Sequence, residues 1–198
     1  MPNDLNTLYQ ELQKIEEKIE NYVESLQAKW NYTIQNGKIK FDRVIKEAHR
    51  QYKVNLLTYI ATAKISHIVT APIIYGMVVP IVFFDLCLMV YQQICFRAYG
   101  IPLVKRGDYL VIDRHLLAYL NALEKLNCFY CSYGNGAVAF AREVLARTEQ
   151  YWCPIKHAKK RIGAHSRYSQ FSDYGDAKNY RQHLKDLRDA LAEQKNVN

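Results

Sequence analysis

The sequence predicts an all-α protein with a membrane-associated helical hairpin, a cytoplasmic helical module and an N-terminal helix of coiled-coil type. Three observations predict it: a heptad repeat near the N-terminus, a long apolar run, and apolar residues at helical spacing after that run. With 198 residues, 49% of them hydrophobic, the chain is long enough to form a core. We divide it into residues 1–36, 37–98, 99–162 and 163–198.

The first segment carries apolar residues at alternating spacings of three and four. They form the a/d seam of a heptad repeat and comprise Leu5, Leu8, Leu12, Ile15, Ile19, Tyr22 and Leu26. The sequence IQNGK at 34–38 is expected to end this helix in a turn. The seam predicts either contact with a partner protein or another copy through residues 5–26, or a helix packed on the same chain. The segment has no basic, apolar leader, so export by a cleavable signal is not expected.

The second segment begins as a basic helix and continues into an apolar run. No Asp, Glu, Lys or Arg occurs between Ile65 and Phe84, which meets the requirement of about 20 apolar residues for one bilayer crossing. The whole run is about twice one span, and Pro72, Gly76 and Pro80 interrupt it, so we predict a helical hairpin that turns near Gly76. The alternative is a pair of core helices in a soluble bundle.

Basic residues flank the apolar run on both sides. They are Lys38, Lys40, Arg43, Lys46, Arg50 and Lys53 before it, and Arg97, Lys105, Arg106 and Arg114 after it. Positive charge on both flanks predicts that both termini lie on the cytoplasmic side. Inside the run, Lys64 and His67 on the first arm lie at about the same distance from Gly76 as Asp85 on the second. These three form a candidate intramembrane polar group that either joins the two arms or relays ions.

The third segment is expected to contain two helices. Asp113 is a plausible N-cap for a helix that reaches about Asn127, the sequence SYGNG is expected to turn the chain, and a second helix would occupy 137–152. Pro154 is expected to end the second helix near Cys153. The fourth segment reads as a polar loop followed by a solvated terminal helix.

Three cysteines and a histidine of the third segment have metal-ligand spacing. Cys128 and Cys131 form C-x2-C, and Cys153 with His157 forms C-x3-H, a ligand set typical of structural zinc, with iron as the alternative. One joint site requires the chain to double back between the two pairs. In a plain helical hairpin, the second pair would instead lie near Asp113 and His115, which offers an alternative metal site and leaves the first pair as a redox dithiol. Simple packing of buried cysteines is the third possibility.

The motifs YGIPLVKRGDYLVIDRHLLAYLNALEKLNCFYCSYGNG, ARTEQYWCPIKHA and FSDYGDAKNYR resemble a family of uncharacterised bacterial inner-membrane proteins. The likeness covers roughly residues 71–181. It implies a bacterial inner-membrane setting and assigns no activity.

The net charge of +8 predicts an anionic partner for some face of the molecule. Beside an apolar run this partner is expected to be the acidic headgroups of membrane lipids rather than nucleic acid. No phosphate-binding glycine loop or nucleophile motif is present, so enzymatic activity is not predicted. The predicted function is a metal-binding accessory or scaffold protein that recruits a partner through its helices. The alternative is a membrane-associated thiol redox or metal-transfer protein.

Overall fold

The computed structural model describes the backbone of residues 2–35 and 38–197, with side chains for residues 11, 14, 15, 17–34 and 39–194. Helices hold 69% of the residues and strands 5%, which confirms the all-α fold class. The chain forms two compact units. The first unit comprises Met1–Ala61 and Asp113–Lys125, and the second comprises Thr62–Ile112 and Leu126–Asn198.

The first unit begins with helix α1, Pro2–Trp30, and a two-stranded antiparallel hairpin. The helix ends earlier than the sequence analysis expected, because Asn31 adopts a positive φ of 49°. Strands β1, Tyr32–Gln35, and β2, Lys38–Phe41, follow, with Tyr32 opposite Phe41. The hairpin was not predicted, although aromatic and β-branched residues of the kind found in β1 favour strands. Residues 36 and 37, within the predicted IQNGK turn, lie outside the described residues.

The predicted heptad seam lies on α1 and is only partly described. Side chains of Leu5, Leu8 and Leu12 lie outside the described residues. The next three seam residues are exposed, by 54% at Ile15, 58% at Ile19 and 64% at Tyr22, whereas Leu26 is half-buried. The described part of the seam therefore does not pack on this chain before Leu26.

Helix α2, Arg43–Arg50, confirms the basic helix that the sequence predicted. The Asp42 carboxylate caps it by accepting a hydrogen bond from the Val44 amide at 3.4 Å. The His49 ring lies between two aromatic rings, those of Phe41 and Tyr119, with centroids 5.8 Å away in each case. These contacts join α2 to the hairpin and to the Asp113–Lys125 segment of the first unit. Helix α3, Leu56–Ala61, follows.

The second unit begins with a helix of 35 residues, Ile65–Tyr99, which we call the apolar helix. It consists of α4, Ile65–Gly76, α5, Val78–Tyr91, a π-helical turn Gln92–Phe96 and α6, Arg97–Tyr99.

The predicted hairpin turn near Gly76 is not present. Met77 keeps right-handed helical angles, φ −64° and ψ −15°, and its amide donates to the carbonyl groups of Ile73 and Ile74. Pro80 falls in the first turn of α5, where a proline is tolerated, and Pro72 is accommodated inside α4. The residues taken as turn signals therefore lie within helical segments.

Helix α7, Ala122–Trp152, replaces the two predicted helices. Its start is fixed by a capping box: the Asn121 side chain accepts from the Glu124 amide at 3.0 Å, and the Glu124 carboxylate accepts from the Asn121 amide at 2.8 Å. Asp113 instead precedes a short 3-10 turn, Arg114–Leu116. The expected start at Asp113 is wrong because the stronger cap lies at Asn121.

The expected turn at SYGNG is also wrong, since Gly134 and Gly136 lie inside α7. Gly136 permits close packing: a Cβ at this position would lie 2.7 Å from the Tyr109 carbonyl oxygen and 3.1 Å from the Leu110 Cα. A Cβ at Gly134 would meet the Ile81 Cδ1 at 3.7 Å, an ordinary contact distance. The glycine at 136 thus serves helix-to-loop packing rather than a turn.

The core of the second unit lies between the C-terminal part of the apolar helix, the loop after it and the middle of α7. Its buried residues are Leu88, Phe96, Ile101, Val104, Phe140, Ala141 and Val144. The Gln92 side chain accepts a hydrogen bond from the Val104 amide at 3.0 Å, which holds the loop on the helix. Contacts of Ile81 with Gly134 and of Tyr91 with Thr148 show that α5 and α7 run side by side in the same direction.

Helix α8, Tyr180–Val197, closes the second unit. The sequence analysis expected a solvated helix, but one face of α8 is buried through Leu184, Leu187 and Leu191. Gln150 on α7 donates a hydrogen bond to the Leu187 carbonyl at 3.0 Å.

Glu143 ties α7 to the short 3-10 turn Ser166–Gln170. Its carboxylate accepts hydrogen bonds from Arg147 and Arg167, each at 2.8 Å. Burial of the carboxyl raises its pKa, but the two guanidinium groups outweigh this effect, so the pKa of Glu143 lies below its ordinary value.

Candidate functional site

The apolar helix is the most distinctive surface of the second unit. By length and composition it can cross a membrane: its most apolar window has a mean hydropathy of 2.4. Only 11% of that window is buried in the chain. A core helix of a soluble bundle would be mostly buried, so the exposure of this helix argues against that alternative.

The helix changes character at Asp85. None of the residues from Ile65 to Phe84 is buried, and this part is roughly 20 residues, or about 30 Å, long. From Asp85 onward one face is buried through Asp85, Leu88, Gln92 and Phe96. The first part therefore has the length of a hydrocarbon core, and the second part belongs to the protein core.

Large apolar side chains cover the exposed part. The most exposed are Ile65 at 79%, Ile73 at 72%, Phe83 at 70%, Val79 at 68% and Val69 at 67%. Soluble monomers seldom expose a continuous apolar surface of this kind, so it marks a contact with lipid or with another protein.

Asp85 is the buried charge at the boundary. Its side chain is 2% exposed, and Arg106 pairs with it, with Nη2 2.6 Å and Nε 3.2 Å from Oδ2. The Tyr133 hydroxyl on α7 donates to the same carboxylate at 2.9 Å. One ion pair and one neutral donor therefore join the apolar helix, the following loop and α7.

The predicted polar group of Lys64, His67 and Asp85 is not assembled. Lys64 is the N-cap residue of α4, so about 30 Å of helix separates it from Asp85, and His67 is only one turn closer. The pairing was wrong because it required the hairpin. Arg106, which the sequence analysis used only as a flanking charge, takes the place of Lys64.

The four predicted metal ligands fall into two separate pairs. Cys128 and Cys131 lie one turn apart on α7, where Cys131 is exposed and Cys128 is half-buried. Cys153 follows the last residue of α7, so about 30 Å of helix lies between Cys131 and Cys153. One ion within a chain cannot bind both pairs. Among the residues that the structure describes, no group of three or more His, Cys, Asp and Glu side chains could hold a metal ion.

Cys153 and His157 line a cavity of about 360 Å³ that Glu149 also lines. Glu149 is already engaged, by the His165 Nε2 at 2.9 Å and the Arg161 Nη1 at 3.6 Å. Partial burial and then the negative charge of Glu149 raise the pKa of the Cys153 thiol. The raised pKa disfavours the thiolate, which is the form that binds metals and acts as a nucleophile.

The alternative ligands Asp113 and His115 belong to the first unit, whereas Cys153 and His157 belong to the second. His115 is exposed in the 3-10 turn Arg114–Leu116 and lines a cavity of the first unit with several basic residues. Cys87 is exposed on the apolar helix and Cys95 is half-buried.

Sequence reasoning missed Arg106 and Tyr133 as partners of Asp85, and the Asn121–Glu124 capping box. Only the capping box had a local signal, the N-x-x-E spacing. Comparisons with protein-family models, with curated proteins and with solved structures found no match to this chain.

Proposed function

We propose that this protein is a non-enzymatic accessory or scaffold protein of the bacterial inner membrane. It is anchored by the apolar helix and recruits a partner through α1. The observation that carries the proposal is the exposure of the apolar residues from Ile65 to Phe84. Leaving this surface in water would be unfavourable by about 25 cal/mol for each Å² of apolar area, and lipid removes that cost.

The bacterial inner membrane as the location rests on the resemblance of residues 71–181 to uncharacterised inner-membrane proteins. Basic residues on both flanks of the helix favour the cytoplasmic side for both ends. The apolar helix has no hairpin turn. Its two ends can therefore lie on the same side of the membrane only if the helix lies within the cytoplasmic leaflet instead of crossing the bilayer. Helix α7 supports this arrangement. It runs beside the apolar helix, where the Asn127 side chain accepts a hydrogen bond from the Tyr75 hydroxyl, and this part of α7, with the sequence NCFYCSYGNG, carries polar side chains that hydrocarbon disfavours.

Recruitment through α1 rests on its exposed seam. Ile15, Ile19 and Tyr22 are each more than half exposed and continue a heptad pattern, which is the surface that a second helix covers in a coiled coil. The partner is another copy of this chain or a protein with a matching apolar seam.

Membrane anchoring predicts that Val69→Asp/Ile73→Asp releases the protein from membranes. Each Asp places a charge on the apolar surface that lipid covers and so opposes insertion, and the two together should shift most of the protein out of the alkaline-carbonate-resistant membrane fraction. Both side chains are mainly exposed, so the change removes no core packing. The measurement is carbonate extraction followed by density flotation of bacterial membranes.

The matched control is Val111→Asp/Ile162→Asp, which changes residues that are 60% and 94% exposed and lie outside the helix. It should remain membrane-bound like the unmodified chain. If carbonate extracts the unmodified chain, the anchoring proposal fails. Membrane-impermeant maleimide tests the orientation in a variant that keeps Cys153 and has serine at the other four cysteines. The exposed Cys153 should react in inverted vesicles and not in spheroplasts, and the reverse result excludes a cytoplasmic second unit.

A metal- or thiol-handling role is the second candidate, and it rests on the Cys128/Cys131 pair. Two cysteines one helical turn apart supply two of the four ligands of zinc or iron, and a second copy would have to supply the others.

The expected metal content follows from that pairing. If the protein has this role, plasma mass spectrometry of the purified protein should find about half a zinc or iron ion per chain. The Cys128→Ser/Cys131→Ser variant should lose this metal, whereas Cys153→Ser should retain it. Loss of the metal in Cys153→Ser would contradict the separation of the two pairs. Reversible oxidation of the first pair without bound metal would identify the redox alternative.

A further inference from the structure

A cavity of about 400 Å³ in the first unit is lined almost entirely by basic groups. The lining residues are Lys46, Arg50, Lys53, His115, Leu116, Ala118 and Lys125. No carboxylate lines it. Four cationic side chains and an imidazole therefore surround one space.

Two elements of the first unit present these groups. Lys46 and Arg50 lie one turn apart on α2, and Lys53 follows in the next turn, where its amide donates to the Arg50 carbonyl at 3.1 Å. His115 and Lys125 come from the Asp113–Lys125 segment. The contact of His49 with Tyr119 holds α2 against this segment, so the basic face of α2 is fixed opposite the two other groups.

The acidic residues of the same elements do not line the cavity, and among them Glu47 is exposed on α2. Asp42 caps α2, and Glu124, next to Lys125, is bonded to the Asn121 amide. Within the described part of the chain, no ion pair neutralises the four cations of the cavity. Like charges held this close repel one another, so an anion that binds between them gains more than it would at an isolated lysine.

We propose that this cavity binds the phosphate group of an anionic ligand, and that the ligand is the headgroup of an acidic phospholipid. Arg50 offers the forked donor geometry that suits phosphate oxygens, and the lysines offer charge. The cavity is larger than one phosphate ion and has room for a headgroup. The choice of a lipid rests on the membrane anchoring proposed above and on the short length of chain between Lys53 and the start of the apolar helix.

Calorimetric titration of the full chain in a neutral maltoside detergent tests the proposal. The probes are dihexanoyl phosphatidate, dihexanoyl phosphatidylcholine and inorganic phosphate. A phosphatidate that binds at least tenfold more tightly than inorganic phosphate identifies a lipid headgroup. Equal binding of the two identifies a soluble phosphate compound at the same site. Equal binding of phosphatidylcholine, which also contains a phosphate group but has no net charge, would show that the negative charge of the headgroup is not recognised, and would overturn the proposal.

The informative variant is Arg50→Gln/Lys53→Gln, and the control is Lys178→Gln/Lys185→Gln, which removes the same charge from exposed positions of the second unit. The first should weaken phosphatidate binding about 30-fold, since each basic residue near an anionic headgroup contributes about fivefold. The control should change it less than threefold. Equal effects of the two variants would overturn the site. Because the titration needs no bilayer, its result is separate from that of the carbonate extraction.

Discussion

Arg106→Met is expected to lower the free energy of unfolding by about 3 kcal/mol, because it leaves the Asp85 carboxylate buried without its cation. The Asp85 side chain is 2% exposed, and the Tyr133 hydroxyl alone cannot replace a guanidinium as partner. For a chain of this length, the change corresponds to a loss of roughly 6–12 °C in the midpoint of thermal unfolding. Circular dichroism of the detergent-solubilised protein measures it.

Lys156→Met is the matched control. It breaks the ion pair with Asp173. The two side chains of this pair are 34% and 80% exposed, so the change should leave the midpoint of thermal unfolding almost unaltered. Replacing both members of the buried pair, as Asp85→Leu/Arg106→Met, should recover much of the stability that Arg106→Met loses, since no buried charge then remains. Equal midpoints for Arg106→Met and Lys156→Met would show that Arg106 does not neutralise a buried Asp85.

Gly136→Ala is expected to destabilise the second unit by about 2 kcal/mol, although alanine favours the helix more than glycine does. The added methyl would lie 2.7 Å from the Tyr109 carbonyl oxygen and 3.1 Å from the Leu110 Cα. Both atoms belong to the backbone, which cannot move aside as the end of a side chain can. The loop that carries Arg106 would have to shift away from α7.

Gly134→Ala provides the comparison on the same helix. Its methyl would meet only the Ile81 Cδ1 at 3.7 Å, so helix propensity decides the outcome and the variant should gain up to about 1 kcal/mol. Thermal unfolding of the two variants under the same conditions gives the sign of each effect. If both stabilise the protein, the close contact of Gly136 with the Tyr109–Leu110 backbone does not exist in solution.

Local patterns predicted α2, because its basic residues at helical spacing, Arg43, Lys46 and Arg50, are readable from the sequence. They also predicted the apolar run, because no charged residue occurs between Ile65 and Phe84, but they did not predict that the run forms one continuous helix. Two turns were predicted wrongly from glycine and proline residues, one near Gly76 and one at SYGNG. Gly76 and Gly134 resemble turn residues, but both lie inside helices, and the residue type alone does not show whether a glycine ends a helix or is tolerated within it.

The metal site illustrates the same limit. The C-x2-C and C-x3-H spacings are local, but their meeting depended on a turn at Gly134, and a continuous α7 keeps the pairs apart. Likewise, the pairing of Lys64 with Asp85 depended on the turn near Gly76. Both site predictions were wrong because the turns that they required are not present.

The sequence by itself determined the helical class, the apolar run and its basic flanks, because hydrophobic periodicity, length and charge act within a few residues of one another. Only the tertiary structure decided that Arg106 and Tyr133 satisfy Asp85, and that Lys125 and His115 complete the basic cavity of α2. These groups are far apart in the chain, and their contacts follow from how helices and loops pack. A buried charge requires a partner, but the sequence does not say which one the fold brings within reach.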